Sequence, residues 1–241
     1  MRTKAPEMNV TDPSPELDFI IKELAALGNP KDREGMARFG IKSENAFGIR
    51  LPVLRSFAKM LRGRHDLALD LWWTKIHEAM LLAIFIADRK LVTEELMENW
   101  LMDFDSWDIC DQACSSLFVF TRYAYQKAIE WPERTAEFEK RAGFVMIAAL
   151  AVHDKKAPDE SFFPFLSLIE KHAGDSRNFV KKAVNWALRQ IGKRNLALNH
   201  QAMAVAEKIK RQDSSSAKWI AADALRELTS PAVQARLERK K

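Results

Sequence analysis

The chain is short of the residues that build sheets, staples and metal cages. In 241 residues there are eight Gly, two Tyr and two Cys, and no long alternating run of β-branched residues. That composition disfavours an all-β architecture and points to an all-helical chain. The cysteines, Cys110 and Cys114, sit four apart on one expected helix with no cluster of Cys or His around them. Neither a disulfide framework nor a zinc site is expected, so metal and cofactor are both read as none. No apolar run reaches the roughly 18 residues that a bilayer span needs, and the N-terminus lacks the apolar core of a signal peptide. Glycine-rich phosphate loops and a Ser-His-Asp order are missing too. The chain therefore reads as soluble, reduced and cytoplasmic.

What is present is charge, unevenly placed. The net charge is +5, but residues 177–241 hold 15 Lys and Arg against 5 Asp and Glu. The rest of the chain is net acidic. Cationic charge gathered at one end signals an anionic partner, with nucleic acid the first candidate.

Residues 1–13 read as a flexible leader and 14–241 as a single domain, because no linker divides them. Helices are expected at 14–27, 30–39, 51–62, 66–73, 75–90, 93–102, 106–121, 123–130, 134–153, 159–173, 177–194, 197–211, 215–228 and 231–239. Breaks fall at Gly28-Asn-Pro30, Arg50-Leu-Pro52, Glu130-Trp-Pro132, Ala157-Pro158 and Ser230-Pro231. The helices pair, and their strongly amphipathic second members recur at spacings of roughly 30–43 residues. Such a period fits stacked helical hairpins of the HEAT type, a solenoid whose concave face is lined by the second helices. A concave basic face is the expected binding surface.

Two of those second helices carry a large aromatic away from the apolar stripe. In Val180–Lys193, the residues Val180, Val184, Ala187, Leu188 and Ile191 share one stripe at about 100° per residue. Trp186 lies opposite, among Lys182, Arg189 and Lys193. A tryptophan among cations suits a polyanion with flat groups attached; the competing reading is packing against a neighbouring helix. In the helix from Ser106, Ile109, Cys110, Ala113, Leu117 and Phe120 form the stripe. Trp107 and Asp111, one turn apart, share another face. An indole and a carboxylate so placed can stabilise a cation held between them; a cap or an inter-helix salt bridge would explain Asp111 equally, though Asp108 suits the cap better. Arg141 sits at the edge of the stripe of Phe138, Ala142, Val145 and Ala149, where it can snorkel, pair or face the concave side. Lys182, Arg189 and Lys193 are the better phosphate candidates. His77 and Glu78 open a helix that is otherwise core, one of Trp72 and Trp73 must pack, and Trp219 is expected to be buried.

At these residues the chain resembles the DNA alkylation repair glycosylases built from HEAT-like repeats, the AlkD family. Four pieces carry the likeness: Met36-Ala-Arg-Phe-Gly with Phe47-Gly-Ile-Arg-Leu-Pro-Val-Leu-Arg, then Ser106-Trp-Asp-Ile-Cys-Asp111, Lys140-Arg-Ala, and Phe179-Val-Lys-Lys-Ala-Val-Asn-Trp-Ala-Leu-Arg-Gln. It spans about residues 14–228. Some relatives have two tryptophans before the acidic motif, whereas here Ser106 precedes Trp107. The resemblance implies a glycosylase that excises cationic N3- or N7-alkylated purines from duplex DNA without needing to flip the lesion into a pocket. It implies Asp111 as the group that stabilises charge on the deoxyribose and helps place water. Trp107 and Trp186 would contact sugar and backbone beside the lesion, and Arg141 and Arg189 would hold phosphates. The implied enzyme needs no cofactor; one-sided DNA binding needs only a monomer, away from membranes and nucleoid-associated when bound to DNA. Two other readings compete: a non-catalytic binder of branched or distorted DNA, and a protein-interaction scaffold.

Overall fold

The computed structural model describes residues 14–239, so the leader expected at 1–13 lies outside the described residues. Among the described residues there are fourteen α-helices and no strand. The helices pack as two compact units that meet in the chain at Ile86 and Ala87. The boundary falls inside the stretch read as a helix over 75–90. That helix stops at Ile86, and no Pro or Gly marks the stop.

The first unit holds α1 (Pro15–Ala26), α2 (Pro30–Met36), α3 (Leu51–Ala58), α4 (His65–Trp73) and α5 (His77–Ile86). Proline opens α1 and α2, where its missing N–H is no loss, and Ser14 and Asn29 cap the free amides beside it. Helix α5 is apolar all round and buried all round. Its one carboxylate, Glu78, is 1% exposed. It accepts the backbone N–H groups of Phe47, Gly48 and Ile49 at 2.8, 2.7 and 3.1 Å. Glu78 thus anchors the loop before α3, replacing the water that a buried carboxylate forgoes. Gly48 sits there at φ +80, where a Cβ would overlap Asn29 and Arg33. Of the paired tryptophans, Trp72 is core and Trp73 is exposed.

The second unit holds α6 (Glu94–Met102), α7 (Trp107–Ser116), α8 (Ala124–Glu130), α9 (Glu137–His153), α10 (Phe163–His172), α11 (Asn178–Gly192), α12 (Leu196–Lys210), α13 (Ser215–Leu228) and α14 (Pro231–Glu238). Short 3₁₀ turns at 118–120 and 159–162 replace one end of two longer expected helices, and a third, at 131–133, falls at the expected break. One of those turns carries Phe120 out to 42% exposure, so it leaves the apolar stripe expected of it. Helices α7, α9, α11 and α13 pack side by side in series, while α8, α10 and α12 pack in a second layer. Each hairpin thus contributes one helix to each layer, as stacked repeats require.

Helix α9 is the hub. Every residue from Lys140 to Ala151 is buried, because α7, α8 and α11 cover it from three sides. A Cβ at Gly143 would overlap Pro132, so this glycine lets α9 lie against the turn at 131–133. Helix α11 is instead amphipathic, burying Val180, Val184, Ala187, Leu188 and Ile191 and leaving Lys182 exposed.

Candidate functional site

The site begins where Ser106, in extended conformation, turns the chain into α7. Trp107 is the first helical residue and is partly exposed, and Asp111 follows one turn later. Asp111 is only 9% exposed. Its neighbour across the helix seam is Arg141 of α9, itself 5% exposed. The guanidinium donates Nε–H to Oδ1 at 2.9 Å and Nη2–H to Oδ2 at 2.8 Å, a bidentate pair. Its third arm, Nη1, donates to the carbonyl of Phe179 at 2.6 Å. Phe179 lies in the first turn of α11, and its ring packs on Phe138 with centroids 5.5 Å apart. One arginine therefore ties α7, α9 and the start of α11 together around a single carboxylate.

Burial pushes the Asp111 carboxyl above its ordinary value, and the attraction of Arg141 pulls it back. Burial likewise works against the Arg141 charge, but the facing carboxylate outweighs it and raises that guanidinium. Two parallel N–H···O bonds are the geometry of an ionised pair. A carboxylate has about four acceptor sites, and the pair with Arg141 uses one on each oxygen. The α7–α9 seam is closed around the pair by Cys110 and Cys114. Their thiols point at the carbonyls of Phe138 and Ala142, each at 3.7 Å. Burial raises the Cys114 thiol well above its usual value, which leaves it unreactive.

The second charged seam joins α11 to α13. Arg189 meets Asp223 at 2.8 Å and Glu227 at 2.6 Å, and Lys193 meets Glu227 at 2.7 Å. Asn185 donates to the same Asp223 at 2.7 Å, and Arg226 pairs with it from within α13. Burial works against the Asp223 charge, but the bonds from Asn185 and Arg189 win and hold its carboxyl below the usual range. The cation-rich end of the chain thus keeps two of its few acids on the helix face that looks at its own cations. Lys182 has no ion-pair partner among the described residues. Trp186 is partly exposed on the same stripe. Trp219 on α13 is 41% exposed, not buried, with the Lys181 ammonium 4.9 Å above its ring.

Set against the expected roles, one residue changes. Arg141 was expected to hold a phosphate; its guanidinium is instead committed to Asp111 and Phe179, buried on the seam. Arg189 and Lys193 are on the expected face but already paired, and Lys182 is the free cation among the four. Asp223 and Glu227 were not singled out in the sequence, and Glu78 only as one of two residues opening a helix that is otherwise core. For Glu78 the signal was there: a lone carboxylate opening a wholly apolar helix needs a buried partner. Among the described residues no group of His, Cys, Asp and Glu is arranged to hold a metal ion, and no helix is long and apolar enough to cross a membrane.

Residues 20–228 match the family model of the DNA alkylation repair enzymes. The chain belongs to that family. Comparison with curated proteins found no match. Among solved structures, the fold is similar to one described as belonging to a new family of proteins related to the HEAT-like repeat DNA glycosylases, with affinity for branched DNA structures. That likeness has a TM-score of 0.74 at 21% identity and covers 88% of this chain and 94% of the other. At that identity the fold is what is shared: an all-α stack of HEAT-like repeats.

Proposed function

We propose that this DNA alkylation repair family member is a DNA glycosylase that excises cationic N3- or N7-alkylated purines from duplex DNA, with Asp111 at its centre. The observation that supports this reading is the carboxylate one helical turn from a partly exposed indole, held in a fixed direction by a bidentate arginine. An alkylated purine already carries positive charge and departs neutral, so its loss needs no proton donor. Positive charge instead moves onto the deoxyribose as the C1′–N bond breaks. A fixed carboxylate and the faces of Trp107 and Trp186 would favour that cation more than the ground state, which is the condition for catalysis. Water then adds at C1′ and loses a proton, leaving an abasic site and free base. Arg141 serves as a positioning residue that holds Asp111, while Lys182, Arg189 and Lys193 meet phosphates.

The test is release of free methylated purine from methylated duplex DNA by the wild type and by Asp111→Asn. We expect release by the wild type and a loss of about 10²–10³-fold in the variant. Unchanged release by the variant would remove Asp111 from the mechanism.

A second reading has its own support in the same pair. A carboxylate whose two oxygens are both tied to a guanidinium also makes sense as a structural bolt. The protein would then bind branched or distorted DNA without excising anything. DNA binding that survives Asp111→Asn, with no base released by the wild type, selects this reading.

A further inference from the structure

A cavity of about 570 Å3 opens where the C-terminal ends of α9 and α11 meet α14. Lys155, Lys193, Arg194 and Arg236 line it against one acid, Asp159, whose carboxylate already accepts a hydrogen bond from Asn195 at 2.7 Å. Helix C-termini normally repel anions through their free carbonyls. Here Arg194 removes that obstacle by donating to the carbonyls of Ala151, Asp154 and Ala157. Its guanidinium is pinned in place over the Phe162 ring, 4.2 Å from the centroid. Lys155 and Arg236 are exposed at the rim. The Lys155 side chain has no hydrogen bond or ion pair among the described residues, and Arg236 makes one long bond, 3.4 Å, to the Lys193 carbonyl.

The cavity also continues the face already described. Gln190 and Lys193 line it, and both share the α11 stripe of Trp186 at about 100° per residue. At about 1.5 Å per residue they lie roughly 6 and 10 Å along the helix from Trp186, so a strand that passes Trp186 along this stripe reaches the cavity.

Resting on the DNA-binding reading, we propose that this cavity is a phosphate pocket that takes the backbone of bound DNA beyond Trp186. Lys155, Lys193 and Arg236 are its donors. It extends the footprint without touching the reaction.

Binding of duplex DNA across a series of salt concentrations tests it, with wild type, Lys155→Ala, Arg236→Ala and the double variant. Lys208→Ala, on the outer face of α12, is the control. Both substituted side chains are exposed, and melting curves confirm that the variants fold. The double variant is expected to bind about tenfold more weakly, with a salt slope shallower by about 2 and base release at saturating DNA unchanged. Wild-type affinity and slope in the double variant would overturn the proposal. Direct titration with tripolyphosphate separates the sources of phosphate. Tripolyphosphate binding that is lost in the double variant while DNA binding is not would assign the pocket to free polyphosphates and overturn its role in DNA binding. If the wild type binds no DNA, the functional reading fails first. Tripolyphosphate binding lost in the double variant would then keep the pocket as a phosphate site, and absence of that binding would remove it.

Discussion

The α7–α9 seam and the α11–α13 seam use the same chemistry to different ends. Each sets acids against bases on neighbouring helices of one layer. Asp111 and Arg141 are enclosed, with side chains 13% and 6% exposed. Arg189 and Glu227 are 29% and 30% exposed and remain in contact with solvent. An enclosed pair adds little net stability but leaves a stranded charge if one partner is removed. A solvated pair contributes little either way and can exchange its partner for another anion. The first seam therefore fixes the direction of Asp111, and the second can trade partners with another anion. Their carboxyls shift in opposite directions: burial outweighs Arg141 at Asp111 and raises it, whereas the bonds from Asn185 and Arg189 outweigh burial at Asp223 and lower it.

Breaking the enclosed seam is expected to have the largest effect. Arg141→Met strands the Asp111 carboxylate and is expected to lower stability by about 3–5 kcal/mol at neutral pH, read by denaturant unfolding. Adding Asp111→Asn to that variant removes the stranded charge and is expected to restore most of the loss. Recovery of less than half would mean that Arg141 acts mainly through Phe179.

Acid separates the seams by sign. Asp111 is raised when folded, and further raised once Arg141 is gone, so protonating it relieves the fold. The deficit of Arg141→Met is expected to shrink steadily as pH falls from neutral. Asp223 is lowered when folded, so its contribution is present above its unfolded value of 3.8 and is lost as pH falls through the folded one. The gap between wild type and Asp223→Asn is expected to persist down to about that value and then close. A gap that begins to close near neutrality would mean that Asp223 is not held below its usual range. Melting curves over pH 7 to 3 read both.

The solvated seam should give the smallest change in stability and a visible one in binding. Glu227→Gln frees Lys193, leaves Arg189 with Asp223 alone, and is expected to cost under about 1 kcal/mol. It is also expected to tighten DNA binding with a steeper salt slope. Weaker binding would show that Glu227 positions those cations for DNA and does not compete with it.

Much of this was legible in the sequence, because amphipathic period, proline starts and Ser or Asn caps are local signals, although α5 and α9, expected to be strongly amphipathic, are buried nearly all round. Those signals located all fourteen helices, and the spacing of second helices gave the repeat. Trp107, Asp111 and Trp186 were visible as residues on the wrong stripe. Pairing was not legible. Arg141 and Asp111 lie 30 residues apart on different helices, and nothing local tells an arginine which seam it will close. Counting charge over 177–241 found the basic bias but not that Asp223 and Glu227 face the cations. Trp219 was misplaced for a similar reason: Lys181 of the neighbouring helix covers its ring, so it needs no core. The stop at Ile86 was hidden because α5 ends in an apolar run with no breaker.

The central claim is that Asp111 does chemistry as well as structure. The measurement that tests it most directly is the single-turnover rate of methylated-purine excision by the Asp111→Asn, Arg141→Met double variant, which keeps the seam free of stranded charge. A folded protein that still binds duplex DNA and excises at least about 10²-fold more slowly than wild type is expected. Excision at the wild-type rate by that folded variant would contradict it.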